Sequence, residues 1–254
     1  MARKLAPVRF DAFSIPDAWF QLLRAAFEHG DEFVITSGSY EGQRRLQMDH
    51  VDVYIEKPGH DMWNFVSEAS GIVPPTTQKY VEEQYLPYLM TGAKSEKEDY
   101  TYGQRIVGCE NVPVNQLETV VAKYKKGGHK TNQCCMEVGR PTDITLGDPP
   151  CLRLVDTKII DEALNFFVYF RSWDLWGGLP SNLCGLEYVK RHLADEVGVE
   201  NGGMVIQSAG LHIYDHNYEY AAIRIGKDIT DLVNSNPRTL PKTREQFGKK
   251  QEPE

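Results

Sequence analysis

A single domain of mixed helices and strands is what this 254-residue sequence predicts, and three observations predict it. Apolar residues recur at helical spacing in several separated blocks, they alternate or run continuously in others, and Gly and Pro punctuate the chain without any internal repeat. With 41% hydrophobic residues, the chain can bury one substantial core and nothing forces a second.

The first helix is expected from about Pro16 to His29. Trp19, Leu22, Leu23, Ala26 and Phe27 fall on one face, Ser14 is placed to cap the start, and Gly30 suits the left-handed position after the last turn. Leu46 and Met48, then Val51, Val53 and Ile55, alternate in two runs whose phase slips near Asp49 and His50. That is the pattern of a strand carrying a bulge, and Pro58-Gly59 stops it. Helical spacing returns from Tyr80 to Met90 and from Asn115 to Lys126, where Leu117, Val120, Val121 and Tyr124 share a face and Gly127-Gly128 ends the run. Leu152 to Ile160 and Leu164 to Arg171 read as two strands joined by a polar turn at Asp161-Glu162. A later helix is marked by Leu183, Leu186, Val189, Leu193 and Val197 on one side, with Glu187, Lys190, Arg191 and Asp195 expected on the solvated side. From Gly226 onward Lys, Glu, Asn and Pro dominate, and the tail is expected to be flexible, particularly beyond Arg238.

Composition narrows the function classes. Lys and Arg total 28 against 36 Asp and Glu, a net charge of −8 that argues against a protein coating nucleic acid through its phosphates. No DNA partner is expected, and an anionic ligand needs a local basic pocket. The five cysteines, Cys109, Cys134, Cys135, Cys151 and Cys184, are odd in number, and no N-terminal stretch has the charged head, apolar run and small-residue site of a secretion signal. No window reaches the apolar length that crosses a bilayer. A reduced cytoplasmic protein with no membrane partner is the expectation. Cys134 and Cys135 adjoin in a strand-like stretch with side chains facing opposite ways, which disfavours a mutual disulfide, and no metal-ligand spacing occurs among the five. No metal is expected.

The informative stretch runs from Asp148 to Tyr214. Asp148-Pro149-Pro150-Cys151 sets a cysteine after two prolines that fix the backbone, at the mouth of an apolar strand. Alone, such a cysteine is more often a small core residue than a nucleophile. Its neighbours alter that reading. The strand Phe166 to Phe170 ends in Arg171-Ser172-Trp173-Asp174, followed by Gly177-Gly178-Leu179-Pro180-Ser181-Asn182, so a guanidinium, a hydroxyl, a carboxylate and an amide share one turn leading into a helix. His212 and Tyr214 stand two apart in an alternating strand, where plain packing is the competing role.

Pro-Pro-Cys, then Arg-Ser-x-Asp, Gly-Leu-Pro-x-Asn and His-Ile-Tyr together resemble the active-site series of the thymidylate synthase family, in order and in spacing. Upstream, Leu22-Leu23, Glu28-His29-Gly30, Tyr102-Gly103 and Asn115-Gln116-Leu117 extend the likeness over most of residues 15–220. The resemblance implies an α+β fold, a large mixed β-sheet covered by helices on one face, with the other sheet face forming the interface of a homodimer. It implies a single catalytic domain over residues 1–230, with 231–254 as the polar tail.

It also implies the chemistry. Carbon 5 of uracil is a poor nucleophile, and adding a thiolate at carbon 6 creates an enolate at carbon 5. Cys151 would supply that thiolate, and a guanidinium at Arg171 would lower its pKa as well as meet the nucleotide phosphate. Ser172 would add a phosphate or sugar hydrogen bond, and His212 and Tyr214 would contact the deoxyribose. Asn182 offers an acceptor and two donors in one plane, matching N3–H and O4 of uracil, or cytosine if the amide is flipped by its neighbours. Asp174 would hold the pterin ring of the folate, with Gly178 and Trp173 beside it and Trp176 close by. Tyr102 is expected to contact base or folate. Glu83, with Glu82 next to it, is the expected general acid/base, and Arg44, Arg45 and Lys130 are further phosphate candidates.

Two departures stand out against the family pattern. Where many members carry an Arg-Arg pair donated across the dimer, this chain reads Asn132-Gln133, with Lys130 and Arg140 nearby, and the usual short apolar C-terminus is replaced by a long polar one. The reaction implied is reductive methylation of dUMP to dTMP, with 5,10-methylenetetrahydrofolate, a reduced folate, giving both carbon and hydride. The alternatives are a pyrimidine nucleotide hydroxymethylase acting on dUMP, dCMP or CMP, in which water captures the methylene intermediate, and a catalytically silent nucleotide- or RNA-binding relative.

Overall fold

The structure, a computed structural model, describes residues 4–38, 40–96 and 98–248. Its strands are β1 (Pro7–Ala12), β2 (Asp31–Val34), β3 (Arg44–Gln47), β4 (His50–Ile55), β5 (Cys135–Glu137), β6 (Leu152–Ile160), β7 (Ala163–Phe170), β8 (Trp173–Asp174), β9 (Glu200–Ser208) and β10 (Leu211–Tyr214). The helices are α1 (Ile15–His29), α2 (Gln78–Tyr80), α3 (Leu86–Met90), α4 (Tyr102–Ile106), α5 (Gln116–Gly127), α6 (Gly178–Val197), α7 (Tyr218–Ile225), α8 (Ile229–Ser235) and α9 (Pro241–Phe247), with a π-helical turn Val81–Tyr85 joining α2 to α3.

Six strands form the large mixed sheet, in the order β1-β4-β9-β7-β6-β5, and four more form a second sheet, β2-β3-β10-β8. α1 and α6 pack against β4, β7 and β9 of the large sheet. Its opposite face is partly open, with Tyr54, Leu154, Phe167, Tyr169 and Val205 half-buried. Among the described residues no helix is long and apolar enough to cross a membrane.

The expected helices and the β6–β7 hairpin are present. Ser14 accepts the Asp17 N–H at the start of α1, and Asn115 accepts the Glu118 N–H at the start of α5. The hairpin turns at Asp161 and Glu162, both left-handed with φ of 50° and 59°, the geometry that matches strand twist.

Four local expectations are corrected. Gly30 is extended, with φ −73° and ψ 149°; glycine is required there because a Cβ would stand 2.5 Å from the Ala26 carbonyl oxygen and 2.7 Å from Leu46. The phase slip near Asp49 and His50 is no bulge. The chain changes sheets there, β3 pairing with β2 and β10, and β4 with β1 and β9. Glu187 and Lys190 do not sit on a solvated side of α6: both are fully buried and paired at 3.1 Å. The tail through residue 248 is folded as α8 and α9, and residues 249–254 lie outside the described residues. Its polar groups bond to buried partners rather than to water: Glu32 accepts from the Thr243 hydroxyl (2.8 Å) and the Leu240 N–H (2.7 Å), and Asn236 donates to the Gly30 carbonyl (2.9 Å).

Candidate active site

Strand register gathers residues that are far apart in sequence. Arg171, just past β7, donates its N–H to the Cys151 carbonyl (2.9 Å), so the two begin and end neighbouring strands side by side. β8 pairs parallel with β10, setting Asp174 beside His212, and β10 pairs antiparallel with β3, setting Tyr214 opposite Arg45. Cys151, Arg171, Ser172, Asp174, His212 and Tyr214 therefore line one cavity of about 740 Å³, together with Arg45, Asp148, Tyr40 and the β2 end from Phe33 onward. A second cavity, about 410 Å³, is lined by Tyr80, Gln84, Tyr85, Tyr88, Glu98, Tyr102 and Asn182. The Tyr102 hydroxyl accepts the Leu152 N–H (3.3 Å), which brings the second cavity's wall next to Cys151.

The Cys151 thiol is half-buried, and burial pushes its pKa up from the usual value. Arg171 and Arg45 pull it down, while Asp148 and Asp174 push it further up. Arg171 thus acts in the expected direction, yet desolvation outweighs it and the resting thiol stays protonated at neutral pH. Part of the reason is geometric. The Arg171 guanidinium is committed to the loop that carries the cysteine, donating to the Pro150 carbonyl (3.2 Å), the Pro149 carbonyl and the Asp148 carboxylate (3.4 Å).

His212 is buried, and its Nδ1 lies 2.8 Å from the Gly210 carbonyl, which can only accept; Nδ1 therefore carries the proton. Nε2 is buried with no partner, a free acceptor of the kind a ligand hydroxyl satisfies. Burial pulls the His212 pKa down to about 4, so the ring is neutral. Arg45 has a buried Nε without a partner, and its guanidinium lies over the Phe33 ring at 4.9 Å. Tyr214 stacks on Tyr40, centroids 4.3 Å apart.

Asp174 is in the cavity wall, but most of its capacity is spent on the start of α6, its oxygens accepting from the N–H groups of Trp176 (3.1 Å), Gly177 (3.3 Å) and Gly178 (3.0 Å). Gly178 faces Asp174 and lines neither cavity. Trp173, expected beside the folate, is 1% exposed and stacked on Phe170, and its indole N–H donates to Asn182. Trp176 packs on Trp19 and Tyr220.

Three further expected residues lie outside both cavities. Glu83 is exposed and faces neither cavity, and Glu82 accepts from the Tyr188 hydroxyl (2.5 Å) and Gln78 (2.8 Å) on the outside. The π-helical turn presents Val81 and Tyr85 inward and both glutamates outward. Arg44 is a buried structural residue, bonded to Asp215 (2.8 Å), Thr243 (2.6 Å) and Gln246; its neighbour Arg45 is the one in the cavity. Lys130 is exposed and lines neither cavity. The parity was readable, since Arg44 shares its strand face with the apolar Leu46. The tyrosines Tyr80, Tyr85, Tyr88 and Tyr102, crowded in one segment, were the unused signal for the second cavity. Among the described residues no His, Cys, Asp and Glu side chains cluster as a metal site.

The sequence pattern of the family described as thymidylate synthase matches residues 46–246. A protein of Methanosarcina mazei, provisionally named thymidylate synthase, is 33% identical over 210 residues, covering 82% of this chain and 90% of its own length. Provisionally named thymidylate synthases of Methanosarcina acetivorans (32% over 210 residues) and Methanococcoides burtonii (31% over 211 residues) cover the same shares. With that match over most of its length, and with the Pro-Pro-Cys, Arg-Ser-x-Asp and His-Ile-Tyr residues drawn into one cavity and Asn182 at the next, the chain belongs to the thymidylate synthase family.

Proposed function

We propose that this protein is a thymidylate synthase, converting dUMP to dTMP with 5,10-methylenetetrahydrofolate. The observation that carries the reading is the position of Cys151, in a cavity holding Arg45, Arg171 and the free His212 Nε2, and next to a second, tyrosine-walled cavity edged by Asn182. The first cavity suits a nucleotide: Arg45 and Arg171 for the phosphate, with Ser172 beside them, and His212 and Tyr214 for the sugar hydroxyl. The second suits a flat pterin, which tyrosine faces stack upon.

In this reading Cys151 first gives its proton to water and reacts from the minor thiolate form: the sulfur forms a bond to C6 of the uracil, and the electron pair of the C5–C6 double bond makes C5 the nucleophile that takes the one-carbon unit. Loss of the C5 proton and of the folate nitrogen leaves an exocyclic methylene. Hydride from C6 of the tetrahydropterin completes the methyl group, the Cys151–C6 bond breaks, and dihydrofolate is the second product. Tyr102, buried and with its pKa raised by desolvation, keeps its proton and acts as a hydrogen-bonding group in the wall. The half-buried face of the large sheet, with Leu154, Phe167, Tyr169 and Val205, supports a homodimer formed there.

One experiment tests the assignment: incubation with methylenetetrahydrofolate and dUMP, dCMP or UMP in turn, with nucleotide products identified by mass and dihydrofolate followed by its ultraviolet absorbance. Methylated dUMP with equal dihydrofolate is expected. Hydroxymethyl nucleotide without dihydrofolate would make the protein a hydroxymethylase, and no product with any nucleotide would remove the catalytic reading.

A further inference from the structure

Asn182 sits at the first turn region of α6 with both ends of its amide engaged. Its Oδ1 accepts from the Trp173 indole N–H (3.1 Å), and its Nδ2 donates to the Tyr85 hydroxyl (2.5 Å). The two partners are not equivalent. A tyrosine hydroxyl donates or accepts, so Tyr85 would tolerate either end of the amide, whereas an indole N–H only donates and can face only the oxygen. The indole itself has no freedom: Trp173 is 1% exposed, lies parallel to the Phe170 ring at 4.8 Å, and its backbone is tied to Gly210 (3.0 Å). One orientation of the amide is therefore fixed by one donor.

We propose that Trp173 is a specificity-determining residue, a latch that holds the Asn182 amide in the orientation that accepts uracil and refuses cytosine. The proposal rests on the nucleotide reading above. Once latched, the amide has one lone pair left on Oδ1 and one hydrogen left on Nδ2. The Nδ2 end is the one beside Tyr85, in the wall of the second cavity, and the Oδ1 end lies toward Trp173. C5 of the base must face the one-carbon donor in that second cavity, and the substituent on C4 is bonded next to C5, with N3 one atom further away. The spare N–H thus meets the C4 substituent and the spare lone pair meets N3. Uracil supplies an acceptor, O4, and a donor, N3–H. Cytosine supplies an amino group and a bare nitrogen, so donor meets donor and acceptor meets acceptor. Without the indole N–H, Asn182 can turn over, because Tyr85 accepts either end.

The test compares kcat/KM for dUMP and dCMP in three proteins: wild type, Trp173→Phe, and a protein with 3-benzothienylalanine at position 173. That isostere keeps the fused rings and loses only the N–H, so it serves even if Trp173→Phe fails to fold. The dUMP-to-dCMP ratio is expected to fall by roughly fivefold to tenfold, the worth of about one neutral hydrogen bond. A general loss of packing lowers both rates and leaves the ratio in place. Tyr85→Phe, which leaves the latch donor intact, is expected to keep the dUMP preference. An unchanged ratio at 173 in an enzyme active on dUMP overturns the latch alone, as does a collapse confined to Tyr85→Phe. A wild-type protein inactive on both nucleotides overturns the functional reading and the latch with it.

Discussion

Arg44 and Arg45 are consecutive residues of β3 whose side chains leave the strand in opposite directions: Arg44 is buried against Asp215, Thr243 and Gln246, and Arg45 lines the cavity that holds Cys151. One guanidinium holds α9 on the body of the protein, and the other faces the cavity beside Tyr214 and Phe33, with its Nε lacking a partner. Arg44→Ala is expected to destabilise the fold by on the order of 3 kcal/mol, since Asp215 loses its cation in a largely dry setting. Arg45→Ala is expected to leave Tm nearly unchanged and to weaken dUMP binding by roughly tenfold to a hundredfold, the loss of a charge-assisted contact. Thermal melts and calorimetric titration with dUMP separate the two, and the opposite pattern would reverse the assignment.

Cys151 should react as a thiol whose pKa lies above its usual value. Alkylation by iodoacetamide, located by mass spectrometry, is expected to be slow at pH 7 and to climb through pH 9, because only the thiolate attacks and burial disfavours it. Arg171→Ala removes the largest downward pull and should move the profile to higher pH. Asp148→Asn removes an upward push and should move it lower. A rate already level at pH 6 would contradict this electrostatic picture of the site.

The parts of the fold legible in sequence were those set by local rules: the capped α1 and α5, the β6–β7 hairpin, and the ordered series from Cys151 to Tyr214. What escaped was set by partners distant in sequence. No local pattern tells that the Glu187–Lys190 pair lies inside the protein against Asn201, or that Thr243 reaches back to Glu32 across the chain. Composition made the tail look solvated because it counts apolar residues, and this tail is held by hydrogen bonds to buried charges. Glu83 was expected from the family resemblance alone; Val81 and Tyr85, four apart, share the inward face of this turn, and Glu83, midway between them, points the other way.

His212 gives the fold a pH dependence of predictable sign. Its pKa falls from about 6.5 in the unfolded chain to about 4 in the native state, mainly through burial. The unfolded chain therefore binds the extra proton first as pH drops, and the stability contributed by the neutral buried ring is complete above pH 6.5 and is lost progressively toward pH 4. The full effect is on the order of 3 kcal/mol. In His212→Gln, urea midpoints at pH 7 and pH 4.5 should differ less than in the wild type. An equal difference in both proteins would mean that other groups carry the acid sensitivity.

The Glu187–Lys190 pair supplies the last prediction. Both side chains are fully buried, one turn apart on α6, and they are tied to the start of β9: Asn201 donates to Glu187 (2.7 Å), and Lys190 donates to Asn201 (2.6 Å) and to the Gly202 carbonyl. Burial lowers the Lys190 pKa and Glu187 raises it in return, so the charged ammonium depends on its partner. Removing Lys190 leaves the buried Glu187 carboxylate with only the part-exposed Arg191 guanidinium at 3.4 Å, and Lys190→Met is expected to cost about 3 kcal/mol. In the double variant Glu187→Leu/Lys190→Met neither charge remains to be stranded, and its cost should fall well below the sum of the two single changes, by an interaction energy of about 1–3 kcal/mol. Urea unfolding of the four proteins measures this. Because Glu187 and Lys190 line neither cavity, the folded fraction of each variant should bind dUMP as the wild type does. Additive costs would show that the two charges act independently, and a loss of dUMP affinity in the folded double variant would show that the anchor also positions the site.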